Sequence, residues 1–160
     1  MDIESMVIEL LARELNLDPR TEAQARLELA EQLLVEARRL LEEKRDPIQA
    51  SEKLYKAAEE LIKAMAEALG LPEAIEARKK GRWTLRLLDN AAARLARLID
   101  ARIYDDWDHA YFLHVEGFHE ARLGIEQVER RARYIVELLE LAKKVVRRED
   151  TSGTRGSVGA

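Results

Sequence analysis

All three histidines of the chain, His109, His114 and His119, fall between residues 104 and 122. The same stretch, Tyr-Asp-Asp-Trp-Asp-His-Ala-Tyr-Phe-Leu-His-Val-Glu-Gly-Phe-His-Glu-Ala-Arg, holds five of the eight aromatic residues: Tyr104, Trp107, Tyr111, Phe112 and Phe118. Metal-free RNA cleavage needs a base near the ribose hydroxyl and a cation on the phosphate. Arg102 and His109, with six residues between them, are of the right types for that pair. Asp105, Asp106 and Asp108 count against it, because they set negative charge where a phosphate would sit. Glu116-Gly-Phe-His119 is a Glu-x-x-His pair, whose spacing puts two ligands on one helical face in di-metal bundles. Such centres need a second copy and further carboxylates, and the chain has one His-bearing pair, so no metal is assigned.

A structural role competes with both chemistries. On an α-helix, Trp107, Tyr111, His114 and Phe118 share one stripe. His114 is therefore expected to be buried with its ring nitrogens hydrogen-bonded to neighbours, while His109 and His119 fall on other faces. Gly117 has no side chain and leaves room for another helix.

Outside this stretch, Arg78-Lys79-Lys80-Gly81-Arg82 is a compact basic run, and Arg86 follows one turn later. Five cations so placed can meet phosphate, and these residues with Glu116 and His119 are the candidate ligand contacts. The alternative is a solvated loop. His114-Val-Glu116 matches the start of a zinc-deaminase signature, but the Pro-Cys-x-x-Cys half cannot exist in a chain without cysteine. No glycine-rich phosphate loop, Walker pattern or serine nucleophile elbow occurs, and no cofactor is expected.

At 160 residues, the chain is long enough for one domain with a real core. Its net charge of −4 argues against a nucleic-acid binder that is basic all over, though not against a local groove. The absence of cysteine excludes disulfides and thiolate sites. No apolar run approaches the ~20 residues of a membrane span. Residues 1–17 lack the basic start and cleavage site of a signal peptide, and a cytoplasmic location is expected. Two Asn and four Gln against 19 Arg and eight Lys suggest a thermophile.

The elements that must position these residues read as helices throughout. Residues 2–15 form a short amphipathic helix with Ile3, Met6, Val7, Leu10 and Leu11 on one side. Asp18 and Pro19 start a long helix to about Lys44, striped by Ala23, Leu27, Ala30, Leu34, Ala37 and Leu41. Asp46-Pro47-Ile48-Gln49 opens the next. That helix is apolar over a wide arc, so it is central, and Gly70-Leu71-Pro72 ends it. Residues 72–82 read as a connector with a turn or two of helix. Thr84 caps a helix over 84–101, Asp105 and Asp106 cap one over 104–122 that Gly124 closes, and a last helix runs from Ile125 to about Arg148. Residues 1–149 are expected to form a single helical domain, and 150–160 a flexible tail.

Three segments carry a resemblance: Ser51 to Leu71, the run Gly81-Arg-Trp-Thr-Leu-Arg-Leu-Leu-Asp-Asn-Ala-Ala92, and Trp107 to Arg122 with its His-Val-x-Gly-Phe-His core. In order and spacing they resemble the archaeal PaREP family over about residues 20 to 145. The resemblance implies a thermophilic archaeal source and a bundle similar to the HEPN superfamily. It implies no activity of its own. Relatives by fold include RNase toxins, nucleotide-binding partners of nucleotidyltransferases and inactive dimerising modules. Catalytic HEPN proteins space an Arg and a His by four to six residues, which Arg102 and His109 satisfy. The family pattern instead favours the positions of His114 and His119.

The expectation is thus an all-α, antiparallel up-and-down bundle of about five main helices plus a short N-terminal one. Its apolar stripes are broad for its size, which points to a homodimer. The leading function is a non-enzymatic, HEPN-like binding or oligomerisation module for a nucleotide or nucleic acid. The alternative is a metal-independent endoribonuclease using Arg102 and His109.

Overall fold

The computed structural model describes residues 3–155, with side chains through Arg147. Among them no strand occurs, and no helix is long and apolar enough to cross a membrane. The chain runs α1 (Ile3–Glu14), α2 (Pro19–Glu42), α3 (Pro47–Ala68), α4 (Pro72–Lys80), α5 (Leu85–Leu98), α6 (Arg102–Phe112), a π-helical segment (Leu113–His119) and α7 (Ile125–Arg155).

The predicted start signals work as read. Asp18 accepts from the Thr21 amide, Asp46 from the Gln49 amide and Thr84 from the Leu87 amide. Each satisfies a donor that the first helical turn leaves unpaired. Gly70 (φ 62°) and Gly81 (φ 75°) take the left-handed conformation that stops α3 and α4. The connector over 72–82 is itself a helix, α4. The expected cap at Asp105 and Asp106 is corrected: α6 begins at Arg102, whose amide donates to Asp100, and Asp106 lies buried inside the helix. Gly124 does not close the helix expected over 104–122 either. Helical structure stops at His119, and Ala121 takes a positive φ of 52°. The last helix extends past Arg148 to Arg155. Of the expected tail, residues 156–160 lie outside the described residues.

Pairing shows the antiparallel order directly. Arg26 of α2 meets Glu60 and Glu67 of α3, whereas Glu36, further along α2, meets Lys53, further back on α3. Glu76 and Glu73 of α4 meet Arg86 and Arg94 of α5 in the same sense. Helix α3 is central, as its wide apolar arc predicts: Leu54, Ala57, Ala58, Leu61, Ile62, Ala64 and Met65 are all at or near zero exposure. Trp107, Leu113, Val128, Ile135 and Leu139 close over the same core.

Two features break the hydrophobic pattern. Inside the bundle, Arg26 is fully buried and donates to Glu67 (2.9 Å), Glu60 (2.8 Å) and Glu22 (3.1 Å). Lys63 donates to Glu60 and to Ser5 of α1. A buried charge is tolerable only when paired and hydrogen-bonded in this way. The second feature follows from the first. Helix α1 turns Ser5 and Ala12 inward and sets Glu9 beside Arg26 and Lys63. Its apolar side faces out: Ile3 is 75% exposed, Leu10 61% and Leu15 65%.

Candidate functional site

The π-helical segment lies along α3, in contact with it near Ser51, Glu52 and Tyr55. Gly117 permits this approach, because a Cβ there would collide with the Ser51 side chain. Ser51 is itself fixed by donating from Oγ to the Pro47 carbonyl at 2.7 Å. A π-turn closes on residue i+5 rather than i+4, so it stacks His114 and His119 on one side of the helix. Their Nε2 atoms are 3.1 Å apart. His114 Nδ1 is 2.9 Å from Glu52 Oε2. With the Glu52 carboxylate accepting from Nδ1–H, His114 Nε2 is left as an acceptor for the Nε2–H of His119. Tyr55 stacks on the His114 ring at 4.0 Å between centroids, and Phe118 lies beyond it. His114 is therefore bonded at both nitrogens, as expected, yet only half-buried.

Beside His114 a cleft of about 300 Å³ opens between α1, α3 and the loop that carries Trp83. Glu52, Tyr55, Lys56 and Glu59 line its α3 wall. Burial pushes the Glu59 carboxyl up to about 7, against the opposing pull of Lys63. Glu116 does not join His119: its carboxylate takes the Arg122 guanidinium instead. Among the described residues no group of three or more His, Cys, Asp or Glu is arranged to hold a metal ion.

Arg102 and His109 have separate surroundings. The Arg102 guanidinium is forked onto Asp100 (3.1 and 2.8 Å) and bonded to Glu137 (2.8 Å). The His109 ring stacks on Tyr134 of α7, centroids 3.8 Å apart and 10° from parallel. Burial, and then the nearby Arg131, hold its pKa below the usual histidine value. Around this stack lie cations seated on rings: Arg133 over Tyr134 at 5.2 Å and Arg131 over Phe112 at 4.2 Å. Neither has a carboxylate within ion-pair distance among the described residues.

The basic run is divided among acids. Arg78 donates to Glu22 at 2.6 Å, while Lys80 and Arg86 share Glu76 at 2.8 and 3.0 Å. Lys79 and Arg82 are exposed. Sequence reasoning missed Glu52, Tyr55, Arg131, Arg133 and Tyr134. None of the five carries a motif.

The model of the archaeal PaREP1/PaREP8 family matches residues 25–151. A crystal structure of a protein from Sulfolobus solfataricus is 35% identical, with a TM-score of 0.69, and the match covers 74% of this chain and 96% of that one. A solution structure of the same structural-genomics target is 36% identical, with a TM-score of 0.65, covering 73% of this chain and 90% of that one. No curated protein is matched.

Proposed function

This chain belongs to the archaeal PaREP1/PaREP8 family, and we propose that it is a non-enzymatic, HEPN-like module that assembles with a second copy of itself through α1. The observation that carries this is the outward apolar ridge of α1, with Ile3, Met6, Val7, Leu10 and Leu11 all exposed and Leu15 exposed just past its end. The helix cannot simply roll over to bury it, because Ser5 and Glu9 answer the buried Arg26 and Lys63. A short apolar ridge covers itself when two copies pair about a two-fold axis. Its acidic flank, Glu4 and Glu14, does not suit a membrane surface. Light scattering tests the reading. Wild type is expected as a dimer and Leu10→Glu as a folded monomer; a wild-type monomer at working concentration overturns it.

The second reading concerns the ligand. Arg131 and Arg133, ring-seated and, among the described residues, unclaimed by carboxylates, support a nucleotide or RNA contact on the α6–α7 face better than the Arg78–Arg86 run does, where Arg78, Lys80 and Arg86 are held by Glu22 and Glu76. Fluorescence anisotropy with a labelled single-stranded RNA is expected to lose affinity in Arg131→Ala with Arg133→Ala, and to change little in Arg86→Ala. The endoribonuclease alternative, with Arg102 on phosphate and His109 as base, has one supporting observation, the lowered pKa that keeps His109 a neutral acceptor at pH 7. RNA cleavage in EDTA that His109→Ala abolishes would establish it, and intact RNA with wild type would remove it.

A further inference from the structure

We propose that His114 and His119 form an open, two-imidazole site for a divalent transition metal of the zinc class. Tetrahedral zinc with Zn–N bonds near 2.0–2.1 Å holds two ligand nitrogens about 3.3 Å apart. The two Nε2 atoms already stand 3.1 Å apart, one from each end of a π-turn and on the same side of the helix. Glu52 completes the arrangement from behind. A metal-bound imidazole usually gives its other ring N–H to a carboxylate, which fixes the tautomer and strengthens the donor. His114 Nδ1 does this with Glu52 at 2.9 Å. Tyr55, stacked on the His114 ring, fixes its plane.

The proton balance is simple. Without metal, the shared hydrogen lies on His119 Nε2 and points at the His114 lone pair. Metal entry requires both Nε2 lone pairs, so His119 carries its proton on Nδ1 instead. His119 is exposed, and water can exchange that proton without charging the ring. Among the described residues no third ligand stands here, since Glu116 is held by Arg122. Water, or an incoming ligand, takes the remaining positions, and binding is weaker than at a closed four-ligand site.

The test uses the full chain, stripped with EDTA, dialysed and titrated with Zn²⁺ against a chromophoric chelator. One zinc per chain is expected. His119→Ala should abolish binding, and circular dichroism should show that its fold is kept, because that side chain is at the surface. Glu52→Gln should keep the stoichiometry and weaken binding by roughly 10–100-fold. No zinc bound by wild type, or zinc held equally well by the His119→Ala chain, overturns the proposal.

Discussion

His114 and His119 meet because the helix between them is wound more loosely than an α-helix. Five residues apart, they would lie on different faces of a 3.6-residue turn; the π-turn brings their Nε2 atoms to 3.1 Å. The His114-Val-Glu-Gly-Phe-His119 run is thus a geometric unit. It comprises two ring nitrogens, the turn that joins them, and the glycine that lets the turn touch α3.

Gly117→Ala should cost about 1–3 kcal/mol, the range for forcing a methyl group into a packed contact. Urea unfolding measures it. Ser51→Gly in the same chain should recover most of the loss, because Ser51 Oγ and Cβ are the atoms a new Cβ would strike.

Arg26→Ala should be among the most damaging single changes, at about 3–5 kcal/mol, since it leaves buried carboxylates without their cation. Glu60 and Glu67 are both almost fully buried. Arg26→Met should cost no less, because it also removes the charge. A midpoint within experimental error of wild type for either variant would refute the account.

Asp106 gives a pH dependence with a definite sign. Both its oxygens are buried without a hydrogen-bond partner, and burial, with the neighbouring Glu137 carboxyl, pushes it up to about 8. The folded protein therefore binds a proton that the unfolded chain has released above about pH 4. Stability is fully present below that and falls as pH rises toward about 8, at up to ~1.4 kcal/mol per pH unit. Asp106→Asn should flatten this slope in unfolding curves taken at pH 5 and pH 8.

Tyr134→Ala should raise the pKa of His109 toward the ordinary histidine value. Burial is the first cause of its depression, and Tyr134 covers one face of the ring. The titration of the His109 Hε1 resonance reads this directly, and an unchanged midpoint would assign the shift to the arginines instead.

Much of the fold was legible because it rests on local rules. Asp46-Pro47, Thr84 and Gly70 act where their chemistry predicts, and the α2 stripe is buried at Ala23, Leu27, Ala30, Ala37 and Leu41, with Leu34 only partly covered. The site was less legible. Hydrophobic periodicity assumes 3.6 residues per turn, so it divided His114 from His119. It also treats charged residues as surface, so nothing marked Arg26, Glu60 or Glu67 as interior. Their burial depends on partners one or more helices away, information that no single helix contains.

The mounting of α1 has a consequence for how the chain is put together. Of its large apolar side chains only Ile8 packs against the core, and its other inward contacts are Ser5, Glu9, Ala12 and Arg13, which lies against Gly81. The family match begins at residue 25, beyond this helix. Helix α1 is thus an accessory clipped to a framework that others share, held by a few polar contacts in place of a packed apolar face, and it should open to solvent before that framework unfolds.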